Sequence, residues 1–200
     1  MLNIDNLMND TNFGSNLNEL PKNIIYMKYG THVSEKPDDI IRRKIEECNH
    51  QGMSFWGYGG NLCHPINQVQ PFIKENLERG EKTYLVLSRT TSVYNGYPSR
   101  ATFYSADKIS WKEIPIGINV LGSPLAIICR NMEMCNFLLD LADYEVPVGN
   151  SAGKILSQIL SWHINKSCGR LIQKDYYNLM PVRPVKISVI AEIERAVFVC

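Results

Sequence analysis

The spacing of apolar positions divides this chain into recognisable elements. An apolar run at residues 24–27 reads as a short strand that Tyr29-Gly30-Thr31-His32 breaks. Ser34 and Pro37, followed by Asp38 and Asp39, form a helix-start signature, with acids where the helix dipole favours them. Ile40, Ile41, Ile45 and Cys48 then make one apolar helix stripe, which Gly52 closes. A strand at 53–56 feeds a glycine-rich segment. Val69, Phe72, Ile73 and Leu77 give a second amphipathic helix ending at Gly80, and residues 83–88 have strand composition. Residues 101–105 and 109–114 read as a hairpin. Residues 125–129 read as a central strand. Asn131 is placed to cap a helix whose buried side is Met134, Phe137, Leu138, Leu141 and Ala142. Ser151 opens what reads as the longest helix, with Ile155, Leu156, Ile159, Leu160 and Ile164 inward, ended by Cys168-Gly169. The tail alternates from Val185 to Ala191 and becomes fully apolar at 196–200, as a docked strand or hairpin would.

Strands and helices mix without a regular βαβ period, so the fold class expected is α+β, with a mixed or partly closed sheet and several packed helices. Residues 1–23 carry repeated Asn and form an expected N-terminal arm, with residues 24–200 as one globular domain. The length of 200 residues is ample for one core. Hydrophobic residues are 44% and charged residues 20%, an ordinary globular balance. A net charge of +1 supplies no global field to recruit nucleic acid or an anionic membrane, so neither is an expected partner. Arg42-Arg43-Lys44 is followed by Glu46 and Glu47 and reads as a solvated helix face. The six cysteines have no tight spacing, and no apolar run reaches membrane-helix length, so a cytoplasmic protein with reduced thiols is expected. Cys48, His50, Cys63 and His64 lack the spacing of a zinc knuckle, and no metal is expected.

The chemistry centres on Phe55-Trp56-Gly57-Tyr58-Gly59-Gly60-Asn61-Leu62-Cys63-His64-Pro65. A strand running into such a loop can bring bare backbone N–H groups up to a ligand, since glycine has no Cβ to block the approach. The alternative is a tight turn that carries no chemistry. Tyr58, Gly59, Gly60, Asn61 and His64 are the candidate ligand-binding residues. A separate candidate anion site is Gly149-Asn150-Ser151-Ala152-Gly153-Lys154, where Ser151, Gly153 and Lys154 would sit at a helix mouth. It is not a Walker A loop, because its spacing is one residue short and Ile155 stands where Ser or Thr belongs. Asp140, Asp143 and Glu145 cluster at the end of the helix expected at 131–142, where carboxylates oppose the dipole.

Tyr58-Gly59-Gly60-Asn61-Leu62 resembles the Tyr-Gly-Ser-Asn-Leu loop of the gamma-glutamylcyclotransferase-like family, with Gly60 in place of the family Ser. Leu139-Asp140-Leu141-Ala142-Asp143-Tyr144-Glu145 is similar to that family's Leu-Asp-x-x-Glu segment but longer by two residues. The resemblance implies intramolecular cyclisation of a gamma-glutamyl group with release of 5-oxoproline. Loop amides would polarise the carbonyl, Glu145 or Asp143 would be the catalytic acid/base, and no metal or organic cofactor would be needed. A reading from another class remains beside it. A non-catalytic cytosolic protein could use Gly57 to Asn61, with Trp56, Tyr58 and Lys154, to hold a small polar or phosphorylated ligand, and the loop could equally receive a protein partner.

Overall fold

The computed structural model describes residues 20–59, 64–95, 99–160, 165–172 and 184–200. Among these, nine strands form one mixed sheet. They are β1 (Asn23–His32), β2 (Ser54–Gly57), β3 (Thr83–Tyr94), β4 (Phe103–Ser105), β5 (Lys112–Glu113), β6 (Leu125–Asp140), β7 (Tyr144–Glu145), β8 (Lys166–Leu171) and β9 (Pro184–Val199). The helices are α1 (Pro37–Gln51), α2 (Ile66–Glu78) and the single turn α3 (Leu156–Ile159). The strand order is β2-β6-β9-β3-β1-β8-β7, with β4 pairing β5 and the end of β9. Only β1 and β3 run parallel; the other pairs are antiparallel. The fold is α+β, and the mixed sheet remains open rather than partly closed.

Strand alternation sorts the core into layers. Ile25, Met27, Leu85, Leu87, Ile127 and Cys168 face α1 and α2, which supply Ile40, Ile41, Val69, Phe72 and Ile73. Burying such side chains contributes roughly 1.5–3 kcal/mol each, which holds both helices on the sheet. Ile24, Tyr26, Val86 and Ile190 face the opposite side, where Leu141, Tyr144, Val146 and Leu156 cover them. A third cluster packs Phe55, Ala126, Ile128 and Val197 under Ile118 and Val120. The α1 signature holds apart from Ser34, since Lys36 is the N-cap: Pro37 lies in the first turn with Asp38 and Asp39, and Gly52 closes the helix at φ 70°. Asn23 is a fully buried first residue of β1 rather than the last of an arm. Residues 1–19 lie outside the described residues.

One expected helix is a strand, and another is reduced among the described residues to the single turn α3 and the start of β8. Residues 131–140 belong to β6, which pairs with β9 along its whole length. Register shifts between Arg130 and Glu133, and between Met134 and Phe137, break strict alternation. The displaced apolar residues then fall at spacings that imitate a helix stripe. Asn131, read as a cap, has φ 49° at the first of these irregularities. The long helix from Ser151 is also absent. Residues 166–171 form β8 against β1, and Gly169 is a strand residue rather than a C-cap. A Cβ at Gly169 would lie 3.0 Å from both Ile24 and Leu156, so close packing explains that glycine. In both cases long-range ladders override a local pattern.

Candidate functional site

A cavity of ≈ 530 Å³ opens where the parallel strands β1 and β3 end. Its walls are the ends of β1, β3 and β2, the Ile40, Arg43 and Lys44 side of α1, residues 119–124, and Asn165 with Lys166. Gly30 sits at an irregularity in the β1 wall. The β1–β3 register shifts between Tyr29 and Thr31, and a Cβ at Gly30 would stand 2.2 Å from the Ser92 carbonyl oxygen. Trp56 and Tyr29 meet edge to face on the cavity wall, with ring centroids 6.3 Å apart and an 84° interplanar angle.

The glycine loop forms one side of this cavity. The Tyr58 N–H donates to Leu125 O at 2.8 Å, carrying the contact with β6 one residue past β2. A Cβ at Gly59 would lie 2.8 Å from Ser123 Oγ and 3.3 Å from Pro124 Cδ, whereas one at Gly57 would make an ordinary 3.4 Å contact. Gly59 is thus required for close backbone approach, not for a left-handed turn. The Lys166 ammonium donates to Gly59 O and lies 5.7 Å from the Tyr58 ring centroid. Tyr58 itself is 1% exposed and packs in the core, with its hydroxyl donating to His64 O at 3.1 Å. His64 Nε2 is 2.9 Å from Ser167 Oγ. That hydroxyl donates to Cys168 O, so the Nε2–H tautomer of His64 is the donor. Burial pushes the His64 pKa down, and a hydrogen bond to Gln68 opposes this. His64 therefore fastens the far end of the loop to β8. Gly60, Asn61 and Cys63 lie outside the described residues.

Charge is concentrated where α1 meets residues 118–120. Arg43 makes a two-pronged contact with Glu35, at 2.9 and 2.7 Å, and reaches Glu47 at 3.1 Å. Lys44 Nζ donates to Glu47 Oε2 at 2.7 Å and to Asn119 O at 2.5 Å. Glu47 Oε1 in turn accepts from the Asn119 N–H at 3.0 Å. This network clamps the 118–120 segment onto α1. Burial lowers the Lys44 pKa to about 8, against the opposing pull of Glu47. The hydrogen bond from Arg43 holds the Glu35 carboxyl below its ordinary value. Lys28, Arg43, Lys44 and Lys166 line the cavity together with Glu35, and Glu47 stands behind the wall. Met27 is in register with Lys166, so strand alternation turns the side chain of the next residue, Lys28, to the opposite face of the sheet, and without it the site carries an excess of one positive charge. Low-dielectric walls focus such a field onto anions.

The structure does not bring the expected acids to Gly59, at the end of the described part of the loop. Glu145 pairs with Arg170 in the β7–β8 ladder, while Lys166, which holds Gly59, lies four residues along β8. At about 3.3 Å per residue that is a separation of roughly 13 Å along the strand. Asp143 ends a 3-10 turn at Leu141–Asp143, where Asp140 Oδ1 accepts from the Ala142 N–H at 2.9 Å. The acids therefore oppose no long helix dipole. Ser151, Gly153 and Lys154 form no helix mouth either. The N–H groups of Ala152, Gly153 and Lys154 donate to Gly149 O, Val146 O and Ser151 O, and α3 has only four residues. Cys48 donates to Cys129 O in the core, while His50 is exposed and His64 is held at Ser167. Among the described residues, no group of three or more His, Cys, Asp and Glu could hold a metal, and no helix is long and apolar enough to cross a membrane.

Arg43 and Lys44 are what sequence reasoning missed, having taken 42–44 as a solvated face. Lys44 is 4% exposed. The available signal was its position on the stripe of Ile40, Ile41 and Cys48, with Glu47 at i+3 to neutralise it. Residues 119–124 and Asn165 carried no local signal, because only the tertiary fold brings them to the cavity. No protein-family model matches the chain, and no curated protein or solved structure matches it.

Proposed function

We propose that this is a small-molecule-binding protein that holds a compact anionic ligand in the cavity, with Gly57 to Gly59 as one wall. The observation that carries this reading is the excess positive charge of a concave ≈ 530 Å³ site with aromatic walls. Its volume lies inside the roughly 300–1,000 Å³ range of small-molecule sites. The cyclotransferase chemistry implied by the loop's resemblance asks for a proton acceptor beside the glycines. Glu35 is the carboxylate among the described lining residues, and Arg43 holds it ionised, which makes it a weak proton acceptor. Binding is accordingly the better-supported function.

A thermal-shift panel of small carboxylates, phosphates and amino acids tests the proposal. A ligand at 100 times its Kd adds about 2.7 kcal/mol. For a chain of this size that raises Tm by roughly 5–10 °C. Lys166→Glu, which reverses a charge on the wall, should abolish the shift. An absence of any stabilising anion, or an equal shift in the Lys166→Glu variant, contradicts the proposal.

A further inference from the structure

Resting on the anion-binding reading above, we infer that the ligand class is a monocarboxylate with an apolar body. The charge balance of the wall, the chemistry of one sheet face and the engagement of the wall's polar groups carry this inference. Strand alternation puts Met27 and Tyr29 on the sheet face that α1 covers, and Lys166, in register with Met27, shares that face. Ile40 and Trp56 belong to the same layer, and all four apolar residues line the cavity. They are only 5–8% exposed, so they form a closed apolar floor rather than reach out to a ligand. Val93, 58% exposed, carries the apolar lining out to the mouth. The charged groups around this floor are Arg43, Lys44 and Lys166, set against Glu35 and Glu47. One negative charge brings that set to neutrality, whereas a dianion would leave an uncompensated charge in a site with low-dielectric walls. The polar groups of the wall are already engaged with one another. Arg43 occupies both Glu35 oxygens, Lys44 and Glu47 take the Asn119 carbonyl and N–H, and Ser123 Oγ donates to Leu125 O. The hydroxyls of a sugar would therefore lose water against groups that are already paired, at a cost that an alkyl body does not meet.

Calorimetric titration of the full chain at pH 7 and constant ionic strength tests the inference, using acetate, propionate, butyrate, pentanoate and hexanoate. Phosphate and succinate serve as dianionic comparators and 1-hexanol as a neutral one. Each methylene buried on the floor contributes roughly fourfold in affinity. Affinity should therefore climb along the series, with hexanoate about tenfold or more tighter than acetate and tighter than either dianion. 1-Hexanol should bind more weakly than hexanoate. Val93→Ser, at an exposed position, should weaken hexanoate and leave acetate unchanged. Lys166→Glu should weaken every acid and leave 1-hexanol unchanged. A flat series, or phosphate or succinate binding more tightly than every monocarboxylate, overturns the ligand class while leaving the anion reading standing. Equal affinity for 1-hexanol and hexanoate overturns the anion reading itself. Silence from all anions removes both.

Discussion

Glu47→Gln and Lys44→Met remove opposite partners of one buried ion pair, and the network predicts unequal consequences. Glu47 and Lys44 side chains are 2% and 5% exposed and meet at 2.7 Å. In Lys44→Met the Glu47 carboxylate keeps Arg43 and the Asn119 N–H, and Asn119 O keeps Arg43 at 3.3 Å. Glu47 Oε2 loses its Lys44 partner while Oε1 keeps both of its own, so stability should fall by about 1–3 kcal/mol. Glu47→Gln instead leaves a buried ammonium without its counter-charge, a change that typically costs about 3–5 kcal/mol. The pH dependence has a definite sign. The folded pKa of Lys44, about 8, lies below its ordinary 10.5, so the unfolded state binds more protons between those values. The contribution of Lys44 to stability is full above pH 10.5 and is lost as pH falls through 8. Loss of Glu47 lowers the folded pKa further. The deficit of Glu47→Gln should therefore shrink between pH 7 and pH 9 as Lys44 sheds its proton. Urea denaturation at both pH values measures this. Equal deficits for the two variants at pH 7, or a Glu47→Gln deficit unchanged at pH 9, would refute the reasoning.

Further outcomes follow from the loop. Gly59→Ala should destabilise the chain by about 1–3 kcal/mol, because its Cβ meets Ser123 and Pro124, while Gly57→Ala should cost under about 1 kcal/mol. Partial recovery in Gly59→Ala/Ser123→Ala, followed by thermal melts, would attribute the effect to that contact; no recovery would remove it as the cause. His64 has a folded pKa below its ordinary 6.5, so its contribution to stability is present above pH 6.5 and is lost as pH falls through the folded value. His64→Gln should flatten the stability profile on the acid side of neutrality, and an unchanged slope in paired denaturation series would contradict that.

Much of the sheet could be read from the chain because its elements carry punctuation. Pro37 and Gly52 bracket α1, Gly80 follows α2, and residues 185–191 lie in β9, although Val185 and Ile187 pack on one side of the sheet and Val189 and Ala191 on the other. What failed has a common physical cause. In β6 the register shifts supply extra residues, so a period of two is lost and Met134, Phe137 and Leu138 imitate a helix face. In β8, Lys166 to Leu171 is too short for periodicity to decide, and pairing with β1 settles it. The same distinction applies to the site. The glycine loop was visible because glycine marks close backbone approach. Its companions were not visible, since Arg43, Asn119 and Lys166 converge only through tertiary structure. Charge composition also misled at Lys44, because a lysine on an apolar stripe can be buried when an acid lies one turn away.

The position of a bound anion tests the cavity assignment most directly. An amide chemical-shift titration of the 15N-labelled chain, using the tightest anion from the thermal panel, measures this residue by residue. The predicted perturbations gather at Trp56, Gly57, Gly59, Asn95 and Asn119 and weaken in Lys166→Glu. Perturbations centred instead on Asp143 and Glu145, or on Ser151 to Lys154, would contradict the central claim.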